Sequence, residues 1–116
     1  MNTGDPYLKR ENMISFSQIR KSELQIIEFF IKVPFNPKEL RSISPPNPIT
    51  ENFSHKGVVL SGRGPIWLYG FLIHFYHPTK FVATYDPRLK GAVVVETHVS
   101  DYQVGDIIPI DLKDVS

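Results

Sequence analysis

Residues 57–98 read GVVLSGRGPIWLYGFLIHFYHPTKFVATYDPRLKGAVVVETH, and their punctuation leaves few folds open. Val58, Val59 and Leu60 form a short, wholly apolar run, the pattern of a strand covered on both faces. Two glycines bracket Arg63, and Pro65 follows where a helix can begin. Residues 66–77 predict about twelve residues of helix, stopped by Pro78. A second apolar strand is expected over 81–85. It runs into Asp86-Pro87-Arg88, and a third strand over 92–97 returns from that turn. Strand, glycine-rich loop, helix and strand in this order predict a right-handed parallel crossover.

Around this unit the signals are antiparallel. Strands are expected over 13–19 and 24–33, the second (LQIIEFFIKV) dense in β-branched and aromatic residues. Arg20, Lys21 and Ser22 lie between them as a hairpin turn, and Pro34 stops the second strand. Residues 34–55 carry Pro34, Pro37, Pro45, Pro46 and Pro48 and read as an extended crossing, with Asn36 capping a short helical turn over 37–40. Gly105 marks another turn, before a last strand over 107–112. Residues 1–12 read as a flexible polar arm. The expectation is one α/β domain over 1–116, with a mixed β-sheet and one main helix after the glycine-rich loop.

Composition excludes several functions. The absence of cysteine removes disulfides, thiolate zinc sites and cysteine nucleophiles, and fits a cytoplasmic location. The polar start MNTGDPYLKREN lacks the apolar stretch of a secretory signal. The most apolar run, 65–77, is broken by Gly70, His74 and His77 and falls short of the roughly 20 residues a membrane span requires. A net charge of +1 argues against coating duplex DNA. The charge is segregated, however. Residues 56–90 hold Lys56, Arg63, Lys80, Arg88 and Lys90 against Asp86 alone, whereas 91–116 hold Glu96, Asp101, Asp106, Asp111 and Asp114 against Lys113. A small anion has a footing in the first segment. The acidic tail reads as solvated loop or as a contact for a basic patch on another subunit.

Three constellations can carry chemistry. In Ser61-Gly62-Arg63-Gly64-Pro65, the glycines let the backbone approach a ligand, the helix that follows aims free amides at the same spot, and Arg63 adds a fork suited to phosphate. A tight strand-to-helix turn with an exposed arginine is the plainer account. His74 and His77, three apart, share a helix face with Gly70 and can ligate a metal or move protons; a packed histidine and an idle exposed one are the alternatives. Asp86 and Arg88 leave the C-terminal end of a strand, where a carboxylate can orient water or metal and an arginine can stabilise phosphoryl charge. Asp-Pro is also ordinary turn chemistry. His98 is expected to share a strand face with Val94 and Glu96. One helix length, about 18 Å, separates His77 from the Ser61 and Asp86 edge. Both can serve one phosphate only if a second subunit contributes, through a head-to-tail contact.

The motifs SGRGPIW, H-x-x-H, YDPRL and AVVV followed by His98 resemble the small CRISPR-associated ring nucleases of the third ring-nuclease family. The resemblance implies a small Rossmann-like fold, related to the CRISPR-associated Rossmann domains that sense cyclic oligoadenylate. It implies a homodimer that binds and cleaves cyclic tetra-adenylate with manganese and so switches off type III CRISPR antiviral signalling. It implies that Ser61, Gly62, Arg63, Gly64 and Pro65 bind the ligand, that His77, Asp86 and Arg88 are catalytic, and that His74, His77 and His98 are metal-associated. A sensor that binds the ring without cutting it, and a manganese-dependent exonuclease on the 3′ end of linear oligoadenylate RNA, are the rival expectations. Around Lys90 this chain is one residue longer than the family pattern.

Overall fold

The computed structural model describes residues 13–112, so the expected N-terminal arm lies outside the described residues. Its backbone is a six-stranded open sheet in the order β1-β2-β3-β4-β5-β6. The strands are β1 (Ile14–Arg20), β2 (Leu24–Ile31), β3 (Gly57–Ser61), β4 (Phe81–Asp86), β5 (Gly91–Thr97) and β6 (Ile107–Pro109). The sheet is mixed. β3 lies parallel to both β2 and β4, and the outer pairs β1–β2, β4–β5 and β5–β6 are antiparallel. The parallel β2–β3 pairing corrects the expectation that only the later crossover is parallel. The segment between them is long enough to bring the chain back to the same edge, as a parallel connection requires.

That connection is organised where the sequence has its caps. Asn36 accepts from the Lys38 N–H at 3.0 Å, its own N–H donates to Glu39 at 2.8 Å, and a 3-10 turn runs over Pro37–Ser42. The main helix α1, Ile66–Phe75, ends two residues earlier than the reading of 66–77. The Tyr76 N–H reaches the Leu72 carbonyl, but the His77 N–H bonds the His74 carbonyl, so the chain tightens out of the helix before Pro78.

Two cores flank the sheet. On one face α1 presses Leu68 and Leu72 onto Ile27, Phe29, Val58, Leu60 and Val82. On the other, the chain after β5 lays Tyr102, Ile108 and Ile110 over Ile26, Val59, Phe81 and Val94. Tyr102 and Phe81 pack with ring centroids 4.4 Å apart. The sequence of α1, IWLYGFLIHF, is apolar on every side, yet Ile66, Gly70 and His74 form an exposed stripe four residues apart. A Cβ on Gly70 would meet nothing within 4 Å. Gly70 therefore does not serve close helix–sheet packing, and His74 is not a core histidine.

One irregularity decides where later side chains point. Along β5, Ala83 pairs with Val94 but Val82 pairs with Glu96, so Val95 is a bulge without a partner on β4. Val94 faces the core opposite α1 with Ala83, whereas Glu96 shares the α1 side with Val82. The expectation that Val94, Glu96 and His98 share one face is corrected for Val94 alone: the extra residue reverses the alternation, and Glu96 turns to the helix side, where it stays beside His98.

Candidate functional site

Ser61 is the last residue of β3 and is buried. Gly62 follows at φ +151°, and a Cβ there would lie 2.6 Å from the Phe29 carbonyl oxygen, so only glycine lets the chain turn so close to β2. The Tyr69 hydroxyl donates to the Gly62 carbonyl at 2.7 Å, tying the loop to the first turns of α1. Burial raises the pKa of that hydroxyl, so it remains a donor at neutral pH. Pro65 is the N-cap, no side chain caps the helix, and Arg63 and Gly64 just before it are exposed. Among the described residues, Arg63 has no salt bridge. Amides, helix dipole and an unpaired guanidinium thus converge on one loop, an arrangement that attracts a small anion.

β3 and β4 are parallel, with Leu60 opposite Thr84, so the Asp86 turn leaves the sheet at the same edge as this loop. A hollow of about 420 Å³ lies between α1 and the Asp86 turn, lined by Ile66, Tyr69 and Ile73 of α1 and by Tyr85, Asp86 and Pro87. Within the turn, Asp86 accepts from the Arg88 N–H at 2.9 Å and from the Arg88 side chain at 3.3 and 3.4 Å. These bonds, side chain first, hold the Asp86 carboxyl below its ordinary value and raise the Arg88 guanidinium above its own. The Arg88 side chain is 88% exposed, so the pair is a surface one that another anion can open. Lys90 takes the left-handed conformation, φ 49°.

His77 lies at the other end of the sheet. The His98 N–H bonds the Lys80 carbonyl beside the start of β4, and the His98 ring nitrogen Nε2 lies 2.9 Å from the His77 carbonyl oxygen. His77 Nδ1 contacts Glu96 Oε2, and the two imidazole rings meet edge to face with centroids 4.8 Å apart. One ligand atom from each of His77, Glu96 and His98 lies within 4.8 Å of the others. Among the described residues, the second oxygen of Glu96, Oε1, is buried with no hydrogen-bond partner. A buried carboxylate oxygen without a partner is costly by itself, and beside two imidazoles it suits a divalent cation, so these residues fit a metal.

Of the histidines read as metal-associated, the molecule brings His77 and His98 together. His74 stands on the exposed stripe of α1 and is not in this cluster; Glu96 takes its place. The signal that finds Glu96 is the three-valine run Val93–Val94–Val95, whose extra residue breaks the alternation. Neither parity nor spacing marks it as a bulge without the pairing partner. The six residues of β4 separate this cluster from Asp86, about 17 Å at the usual rise per strand residue. The molecule brings Ser61–Pro65 together with Asp86 and Arg88, and it keeps His77 apart from them.

The fold and the two clusters define a small α/β protein with a glycine-bracketed arginine loop at one sheet edge and a His77–Glu96–His98 cluster at the other. Residues 28–109 match the family described as CRISPR-associated protein (Cas_csx3), and the chain belongs to that family. It is also 48% identical over 103 residues to an uncharacterised protein of Aquifex aeolicus (strain VF5), a match covering 87% of this chain and 93% of the relative.

Proposed function

We propose that this protein is a manganese-dependent ring nuclease that cleaves cyclic tetra-adenylate to shorter linear oligoadenylate. The observation that carries the reading is the placement of the Arg63 loop, Asp86 and Arg88 at one end of one small sheet and of the His77–Glu96–His98 cluster at the other. At one end, the loop amides and Arg63 hold the ring's phosphates. Asp86, held ionised by Arg88, orients the attacking hydroxyl or water, and Arg88 swings from Asp86 to the crowded phosphoryl oxygens. At the other end, His77 acts as general acid or base. His77, Glu96 and His98 would hold the cation, which supplies neutralisation of phosphate charge and a more acidic nucleophile.

About 17 Å lies between these ends, so the reaction needs two copies of the chain, with the His77 end of one closing over the Arg88 end of another. The β3–loop–α1–β4 crossover is the element that Rossmann-like folds use to present ligands at strand C-terminal ends, and we read this sheet as a reduced version of it. Membership of a CRISPR-associated family supports the choice of a cyclic oligoadenylate as substrate.

The test incubates the protein with cyclic tetra-adenylate, with and without manganese, and resolves the products. Linear di- or tetra-adenylate that appears only with the metal is expected. An intact ring despite tight binding makes the protein a sensor, and cleavage confined to linear 3′ ends makes it an exonuclease. For the shared site, inactive His77→Ala and inactive Arg88→Ala proteins are mixed. Restored cleavage is expected, because one of the two possible contacts in a mixed pair carries both intact ends.

A further inference from the structure

A second hollow borders the anion loop on its other side, and the phosphate chemistry above does not use it. Glu28 of β2 pairs with Ser61, the last residue of β3, so Phe29, Phe30 and Ile31 run on past the end of β3 beside Gly62 and Arg63. These five residues line a hollow of about 320 Å³. Its floor is fixed: Phe29 is buried, and its carbonyl and ring lie where a Gly62 side chain would stand. Its rim is open. The Phe30 ring is 53% exposed, alternates away from Phe29 and stands off the core under α1.

A single exposed phenyl ring is unremarkable on most surfaces. This one shares a hollow with Arg63, which has no salt bridge among the described residues and belongs to the loop proposed to hold phosphate. In a nucleotide the base stands one sugar away from the phosphate. A phosphate on the loop can therefore present its base to the aromatic face in the same hollow, and a base stacked there gains from both the ring and the cation.

We infer that Phe30 and Arg63 form a nucleobase subsite, in which a purine stacks on Phe30 while Arg63 and the loop hold its phosphate. The inference rests on the anion role proposed for the loop. The subsite selects by stacked area, since its lining carries the Arg63 guanidinium and otherwise apolar side chains and backbone. It favours purines over pyrimidines and discriminates little between adenine and guanine. Phe30 is thus a specificity-determining residue, and the catalytic groups at either end of the sheet are left as they were.

The experiment measures equilibrium binding of cyclic tetra-adenylate and cyclic tetra-uridylate by the full chain and by Phe30→Ala, Phe30→Trp and Arg63→Ala variants, each checked for an unchanged melting temperature. Phe30→Ala is expected to weaken the adenylate ring by about tenfold and to shrink the purine preference, while Phe30→Trp keeps both. Arg63→Ala is expected to weaken both rings alike. Wild-type affinity and preference in Phe30→Ala overturn the subsite and leave the anion loop standing. Loss of purine preference in Phe30→Trp also counts against stacking. Failure of the unaltered protein to bind either ring overturns the subsite and the loop's role together.

Discussion

Asp86 and Arg88 lie two residues apart and satisfy one another, which sets how this turn responds to acid. The Arg88 side chain, and then its backbone N–H, lower the Asp86 pKa from its ordinary 3.8. A depressed carboxyl contributes its stabilisation above the unfolded value, and that contribution disappears as pH falls through the folded one. A carboxyl-resolved NMR titration is expected to give Asp86 a midpoint below 3.8, and Arg88→Ala should bring it back toward that value. A native midpoint at or above the ordinary value contradicts the pair. Asp-Pro marked this turn in the sequence because its cause is local. The Tyr69–Gly62 bond was not legible, because hydroxyl and carbonyl meet only once α1 has docked. Tyr69→Phe keeps the ring against Phe29 and removes the donor. Chemical denaturation should register a loss of about 1 kcal/mol, and ring affinity should fall with it as the loop loosens.

At the scale of elements, strands and helix followed from runs and punctuation, since Gly, Pro and β-branched residues act through backbone sterics within a few residues. What escaped were the consequences of pairing. The Val95 bulge shows only against β4, and it carries Glu96 to the α1 side, where His77 and His98 are. The sequence puts Glu96 and His98 on one face, but only the bulge turns that face away from Val94 and toward His77. Glu96→Gln keeps the shape and the contact to His77 while removing the buried charge. Without metal its melting temperature is expected to match or exceed that of the unaltered protein. Manganese at about a hundred times its dissociation constant should stabilise the unaltered protein by about 2.7 kcal/mol and leave the variant unmoved. An equal manganese shift in both would remove Glu96 from the site. A second element-level dependence sits at the start of β3. A Cβ on Gly57 would lie 2.0 Å from the Phe81 ring, which is buried under Tyr102 and has no space to retreat. Gly57→Ala should cost about 1–3 kcal/mol in urea denaturation, and Phe81→Leu in the same chain should recover part of it.

The whole molecule measures 52 × 29 × 23 Å, and its proposed chemistry lies at two ends of a sheet that does not fold back on itself. This separation was legible from the chain, because helix length and the parallel crossover fix which strand ends share an edge. The mode of closure was not, because it depends on a surface that exists only after folding. Closure between copies makes rate a matter of concentration as well as of residues. If every productive site joins the His77 end of one copy to the Arg88 end of another, an isolated closing unit has no complete site. At saturating ring, the rate per protein chain should therefore rise with protein concentration until association is complete, and then level. Dilution into the same buffer should restore the low value. Sedimentation over the same concentrations should show the assembled species growing in step with the rate. A rate per chain that stays constant while sedimentation records dissociation would mean that one closing unit contains all the chemistry. His77 would then have to act from about 17 Å away, or not act at all.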